Sequence, residues 1–167
     1  MLSSAIIASL LKLVHVWAVV LFVGNAALGP YRRRQARSTG DARAIAATYE
    51  IHTRSGPAVT VPWFAIAIAS GSALAWTSGI PILSTGWVVW AIVLSLIVAV
   101  LFVAWIAPLQ RQATERAVAY AEDGSPERQA AFERVSRRLE PLSHFAHVLF
   151  FAIIVLMVVK PALPLPW

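Results

Sequence analysis

The sequence predicts an all-α protein: a bundle of four transmembrane helices, with both termini outside and short amphipathic helices in its cytoplasmic loops. Of its 167 residues, 59% are hydrophobic and only 13% are charged, a balance far from that of soluble domains. The mean hydropathy is +0.70. The apolar residues fall into four runs, each close to the roughly 20 residues that cross a bilayer. Four crossings and their loops use the whole length, so we expect one domain, residues 1–167.

Proline and arginine mark the ends of these runs. The first run ends at Pro30 and the arginine cluster 32–34, a typical stop signal at a membrane surface. In the polar segment 110–140, Ser125 and Pro126 are typical of a helix N-cap and first helical position, so we expect surface helices there. The predicted spans are residues 5–28, 59–77, 87–107 and 142–160.

The distribution of positive charge predicts the orientation. All twelve arginines lie in the two loops that follow the first and third spans, and the turn after the second span carries no charge. By the positive-inside rule, both loops are cytoplasmic and both termini lie outside a bacterial cytoplasmic membrane. We expect the loops to contact anionic lipid headgroups, not nucleic acid. The tryptophans fit aromatic belts, outer for Trp76, Trp87 and Trp167 and inner for Trp63 and Trp105.

Missing residue types and motifs limit the chemistry. The chain has no cysteine, which excludes disulfides, thiolate catalysis and cysteine-ligated metal clusters. It has no phosphate loop, nucleophile elbow or zinc-protease helix. Redox chemistry would therefore need a bound cofactor.

The first span carries two ionisable residues, Lys12 and His15, one turn apart. Ionisable groups inside a span are costly, so this pair is the first candidate for a site. At about 1.5 Å per residue, Lys12 and Lys160 lie roughly 24 to 25 Å from the inner boundary, and His15 and Met157 roughly 20 to 21 Å. If the first and fourth spans are neighbours, the four residues form a pocket for haem b. His15 would bind the iron, Met157 would be the second axial group, and both lysines would face the propionates.

Each of these four residues also has an ordinary structural interpretation. Lys12 can extend its amine to the interface, and His15 can make an interhelical hydrogen bond. Met157 can pack in an apolar helix, and Lys160 can end that helix.

Other polar and small residues cluster near the cytoplasmic ends of the spans. His52, His144 and His147 are candidates for a zinc or copper site, or for interfacial histidines beside lipid headgroups. Gly24 and Asn25 predict a close helix contact with a hydrogen bond.

Segments spread over nearly the whole chain resemble a bacterial family of four-span membrane proteins of unknown function. They are residues 11–15 (LKLVH), 21–25 (LFVGN), 81–85 (PILST) with Trp87, 108–111 (PLQR) and 156–161 (LMVVKP). This resemblance implies the four-span fold and no activity.

Two of these segments are also similar to the family of membrane-embedded protoporphyrinogen IX oxidases, small helical bundles that bind haem b. The similar parts are the Lys12-x-x-His15 pattern and the ending VVKP at 158–161. The similarity implies that His15 is the haem ligand and that Lys12 is important to the site. The third span, residues 87–107, has no lysine or histidine where that family has polar residues.

Two functions follow as hypotheses. The first is a membrane protein that binds haem or another porphyrin, for electron transfer or, if it is an enzyme, for oxidation of the protoporphyrinogen type. The second is a non-enzymatic accessory subunit or assembly factor, whose arginine-rich loops would dock a larger membrane complex or a second copy of the chain.

Overall fold

A computed structural model describes residues 4–166 as four long helices. They are α1 (Ser4–Ser38), α2 (Ala42–Thr77), α3 (Gly86–Asp123) and α4 (Pro126–Val159). Each contains a stretch long and apolar enough to cross a membrane, and residues 4–166 contain no strand. The predicted all-α fold with four membrane helices is confirmed. The orientation and the single domain stay predictions, and Trp167 lies outside the described residues.

The helices are longer than the predicted spans. About 35 residues of helix measure roughly 50 Å, whereas the hydrocarbon of a bilayer is about 30 Å thick. The polar segments are helical, as predicted, but they continue the spans without a break. We call residues 29–58 and 108–141 the arginine-rich half of the bundle, and the four predicted spans the apolar half.

The junction of the two halves carries a proline in every helix. Helix α1 continues through Pro30, and α4 continues through Pro141. Helices α2 and α3 instead widen into single π-helical turns, Gly56–Thr60 and Phe102–Ile106. The first turn contains Pro57, and Pro108 follows the second. Proline lacks an N–H group and clashes with the carbonyl four residues earlier, which accounts for a wider turn here.

The arginine-rich half contains the main core. There the first part of α2 packs on the last part of α3, and α3 packs on α4 along its length. The ring of Tyr49 meets that of Phe132 edge-on at 5.1 Å, and its hydroxyl lies 2.7 Å from Ser136 Oγ. All three side chains are buried. The smaller members of the core, which let the helices approach closely, are Ala36, Ala46, Ala113, Ala117 and Ala146.

The apolar half divides into two helix pairs. Helix α1 packs closely on α2, and α3 packs on α4. Within the described chain, Val61–Thr77 of α2 makes no close backbone approach to Gly86–Leu101 of α3. Phe22 joins three helices, because its ring centroid lies 4.9 Å from that of Phe64 and 4.7 Å from that of Phe150. Counted from Leu28, this aromatic contact lies roughly 9 Å into the apolar half.

Two predicted local features are confirmed. Ser125 caps α4, since its hydroxyl accepts a hydrogen bond from the Arg128 backbone N–H, and Pro126 begins the helix. Asn25 makes the expected interhelical hydrogen bond, donating to Thr60 Oγ1 at 2.8 Å. The expectation for Gly24 was wrong, because nothing lies within 4 Å of the position its Cβ would take.

Candidate functional site

His15 lies in the interface between α1 and α2. Its Nδ1 is 2.9 Å from the carbonyl oxygen of Ala67 and 3.4 Å from Ser70 Oγ. The ring rests on Gly71, where an added Cβ would stand only 2.8 Å from His15 Cε1. Glycine at position 71 therefore provides the space that the imidazole occupies.

The partners of His15 determine which ring nitrogen carries the proton. A backbone carbonyl only accepts hydrogen bonds, so Nδ1 must donate to Ala67 O. Ser70 directs its own hydroxyl proton to the carbonyl of Ile66, at 2.6 Å, and can accept from Nδ1. Nε2 is then left with its lone pair and has no hydrogen-bond partner among the described residues. Histidines that bind metals are commonly oriented by this kind of carbonyl contact.

The other three predicted site residues lie on or near the ends of α1 and α4. Lys12 is exposed, Met157 is half-buried, and Lys160 is exposed. Lys160 ends α4 in the left-handed conformation, with φ 50°, and its Nζ lies 5.5 Å from the centroid of the Trp87 ring. Among the residues the structure describes, no hydrogen bond, ion pair or ring contact joins any two of the four. The predicted haem pocket stays a prediction.

The predicted pocket assumed that α1 and α4 are neighbours. The two helices do meet, through Phe22 and Phe150 and through His147, whose Nε2 lies 3.0 Å from Ala26 O. These contacts lie nearer the arginine-rich half than His15 and Met157 do. Helices α1 and α4 are therefore neighbours, but at a level closer to the arginine-rich half than the predicted site.

The three remaining histidines do not come together as one metal site in the described chain. His144 is exposed, and its Nδ1 lies 2.8 Å from the carbonyl of Glu140 in its own helix. His147 has a carbonyl at each ring nitrogen, those of Ser143 and Ala26, so neither nitrogen is free to bind a metal. No group of three His, Asp or Glu residues in the described chain could hold a metal ion. The structure does not support the zinc or copper site.

A second polar feature was missed by the sequence analysis. All four helices enclose a cavity of about 60 Å³ at the junction of the two halves, which we call the central cavity. Residues of both π-helical turns line this cavity. Such turns are frequently found at functional sites. Its polar lining residues are Arg33, His52, Thr60, Gln110, Ser143 and His147.

His52 separates the central cavity from a larger groove. The groove, about 430 Å³, opens between α1 and α2 in the arginine-rich half and is lined by Arg32, Thr39 and Thr48. His52 lines both spaces and precedes the apolar part of α2. Burial lowers the pKa of His52, and the positive charges of Arg33 and Arg32 lower it further.

Comparison with known protein families places the chain among membrane proteins. The family model described as "Predicted integral membrane protein (DUF2269)" matches residues 9–161. The chain belongs to this family. The description agrees with the four apolar helices and names no activity, so the expected membership in a membrane family of unknown function is confirmed. Neither a curated protein nor a solved structure matches the chain.

Proposed function

We propose that this multi-pass membrane protein binds haem b or a related porphyrin, with His15 as the iron ligand, and serves electron transfer or porphyrin oxidation. The supporting observation is the hydrogen bond from His15 Nδ1 to Ala67 O at 2.9 Å. It fixes the ring and leaves Nε2 with a free lone pair in an apolar environment. An imidazole nitrogen held in this way is a usual axial ligand of haem iron.

The packing of the apolar half also supports this function. Helices α1 and α2 form one pair and α3 and α4 the other, and their apolar parts touch little. A flat macrocycle would have to insert between these two pairs. Met157 on α4 is the proposed second axial group, and Lys12 and Lys160 are the proposed partners of the propionates. Lys160 would have to leave its place over Trp87, which is a weak contact at an exposed site.

An absorption spectrum of the purified protein tests the proposal. The full chain is produced with haem precursor feeding and purified in mild detergent. We expect a Soret band in the wild type, and its loss in His15→Ala. His144→Ala is the matched control, because His144 is exposed at the other end of the apolar half and should keep the band.

Loss of the band must be separated from loss of the fold. His15→Ala is therefore also compared with the wild type in haem-free form, by size-exclusion profile and melting temperature. A folded but colourless His15→Ala protein supports the proposal. A Soret band that is unchanged in His15→Ala, or absent from a well-folded wild type after feeding, contradicts it. A colourless chain that co-purifies with a larger membrane complex would favour the accessory-subunit function instead.

A further inference from the structure

Arg33 is a buried cation without a counter-ion. Only 2% of its surface is exposed, although it lies in a run of three arginines. In the described chain it makes no ion pair, and its side chain makes only one hydrogen bond, a long one of 3.4 Å from Nη2 to Ser143 Oγ. Its Nε is buried and has no hydrogen-bond partner. Burying an unpaired charge is strongly unfavourable, so the fold is expected to hold an anion next to it.

No side chain among the described residues fills that role. Glu140 is the carboxylate whose charge acts on Arg33, but it forms an ion pair with Arg37. The lining of the central cavity, where Arg33 lies, contains no aspartate or glutamate among the described residues. We therefore expect the counter-ion to come from outside the part of the chain that the structure describes.

The other polar groups of the central cavity suit an anion. The imidazole of His52 and the side-chain amide of Gln110 both line it, and neither makes a hydrogen bond within the part of the chain that the structure describes. Gln110 is buried as well. Guanidinium, imidazole, amide and hydroxyl groups all supply hydrogen-bond donors, the set that oxyanions require.

We propose that the central cavity binds a tetrahedral oxyanion of the phosphate type, held by Arg33 with Gln110 and His52. The volume of about 60 Å³ is suitable for such an anion. At roughly 15 Å³ for each water it holds about four waters, which is close to the size of one phosphate group. The groove lined by Arg32 adjoins the central cavity at His52, which lines both spaces. The anion is either free phosphate or the phosphate of a lipid headgroup.

The melting temperature of the full chain in mild detergent tests this site. Inorganic phosphate is added to a chloride buffer at constant ionic strength. Near saturation we expect a rise of about 5 to 10 °C over chloride alone. Arg33→Gln should lose this response. Arg34→Gln is the matched control: it removes the same charge from an exposed neighbour and should keep the response.

A second variant is designed to fold whether or not an anion is present. Gln110→Glu places a carboxylate in the central cavity and so supplies Arg33 with its own counter-ion. We expect Gln110→Glu to melt above the wild type in chloride and to gain nothing from phosphate. A full phosphate response in Gln110→Glu or in Arg33→Gln would overturn the site.

A lipid arm distinguishes the two sources. Phosphatidic acid is added in mixed micelles without inorganic phosphate. A response to phosphatidic acid alone assigns the site to a lipid headgroup, and a response to inorganic phosphate assigns it to a free anion. A response to neither overturns the proposal. None of these measurements uses haem or His15, so the site can fail or succeed independently of the proposed function.

Discussion

The imidazole of His52 on α2 lies directly against Gly29 on α1, so closely that a Cβ at position 29 would overlap the ring. The same arrangement occurs in the opposite direction near the other end of the pair, where His15 of α1 rests on Gly71 of α2. Two histidines thus lie in gaps opened by glycines of the partner helix. His15 belongs to the proposed haem site, and His52 lines the central cavity.

The first prediction concerns the Gly29 contact. Gly29→Ala should lower the free energy of unfolding by about 1 to 3 kcal/mol, because the methyl group must displace the His52 ring. The measurement is the melting temperature in detergent. Gly24→Ala is the matched control on the same helix, since position 24 is open. It should be neutral or stabilising by up to about 1 kcal/mol, because alanine is the better helix former. Equal destabilisation by both variants would contradict the account.

Sequence reasoning could not identify these glycines. Gly24 was selected because it precedes Asn25, and the hydrogen bond of Asn25 to Thr60 does exist. The close approaches, however, occur at Gly29 and Gly71. Their positions depend on how α1 and α2 are rotated about their axes and on the large rings opposite them. Neither the rotation of the helices nor the identity of the facing rings can be derived from the composition of one helix.

The second prediction concerns pH. Because the pKa of His52 is lowered in the folded protein, the unfolded chain binds the proton more readily once the pH falls below about 6.5, the ordinary value for histidine. The folded state should therefore lose stability as the pH falls from about 6.5 towards about 4, the pKa of His52 in the folded protein. His52→Gln should remove part of this loss, measured as melting temperature against pH in phosphate-free buffer.

The control for the pH experiment is His144→Gln, since His144 is exposed. It should keep the wild-type dependence. A dependence that is unchanged in His52→Gln would show that another group causes it.

Arg33 shows most clearly what the sequence conceals. Residues 32–34 are identical in type, and all three were interpreted as a topology signal in contact with lipid headgroups. Only Arg32 and Arg34 are exposed. Arg33 lies on the face of α1 that contains Gly29 and Ala36, three or four residues apart and both buried. That small-residue spacing is the available signal, but the charge of Arg33 argued against its use.

The number of membrane helices was easier to predict from the sequence. Four apolar runs of span length required four membrane helices, because each backbone polar group in lipid must be paired within its helix. The capping pattern at Ser125 likewise predicted the start of α4. Because of the prolines, the sequence analysis did not predict that the helices continue beyond the spans. Proline was taken to end a span, whereas α1 and α4 continue through it, and α2 and α3 widen into a π-helical turn at or just before it.

The third prediction tests the orientation. The chain has no cysteine, so a single introduced cysteine reports on one position only. Leu83→Cys lies in the exposed turn between α2 and α3, and Glu127→Cys lies at the exposed start of α4. In intact cells, a membrane-impermeant thiol reagent should label Leu83→Cys. It should label Glu127→Cys only after the membrane is opened. The reverse pattern would mean that the arginine-rich half faces outward.

The fourth prediction is the haem content of the wild type and of His15→Ala, measured as the Soret absorbance per mole of protein in folded, haem-fed preparations. Since the Ala67 carbonyl orients His15 and leaves Nε2 free, we expect close to one haem per chain in the wild type and almost none in His15→Ala. Equal haem content in both proteins, or none in the wild type, would contradict the proposal that His15 binds the iron.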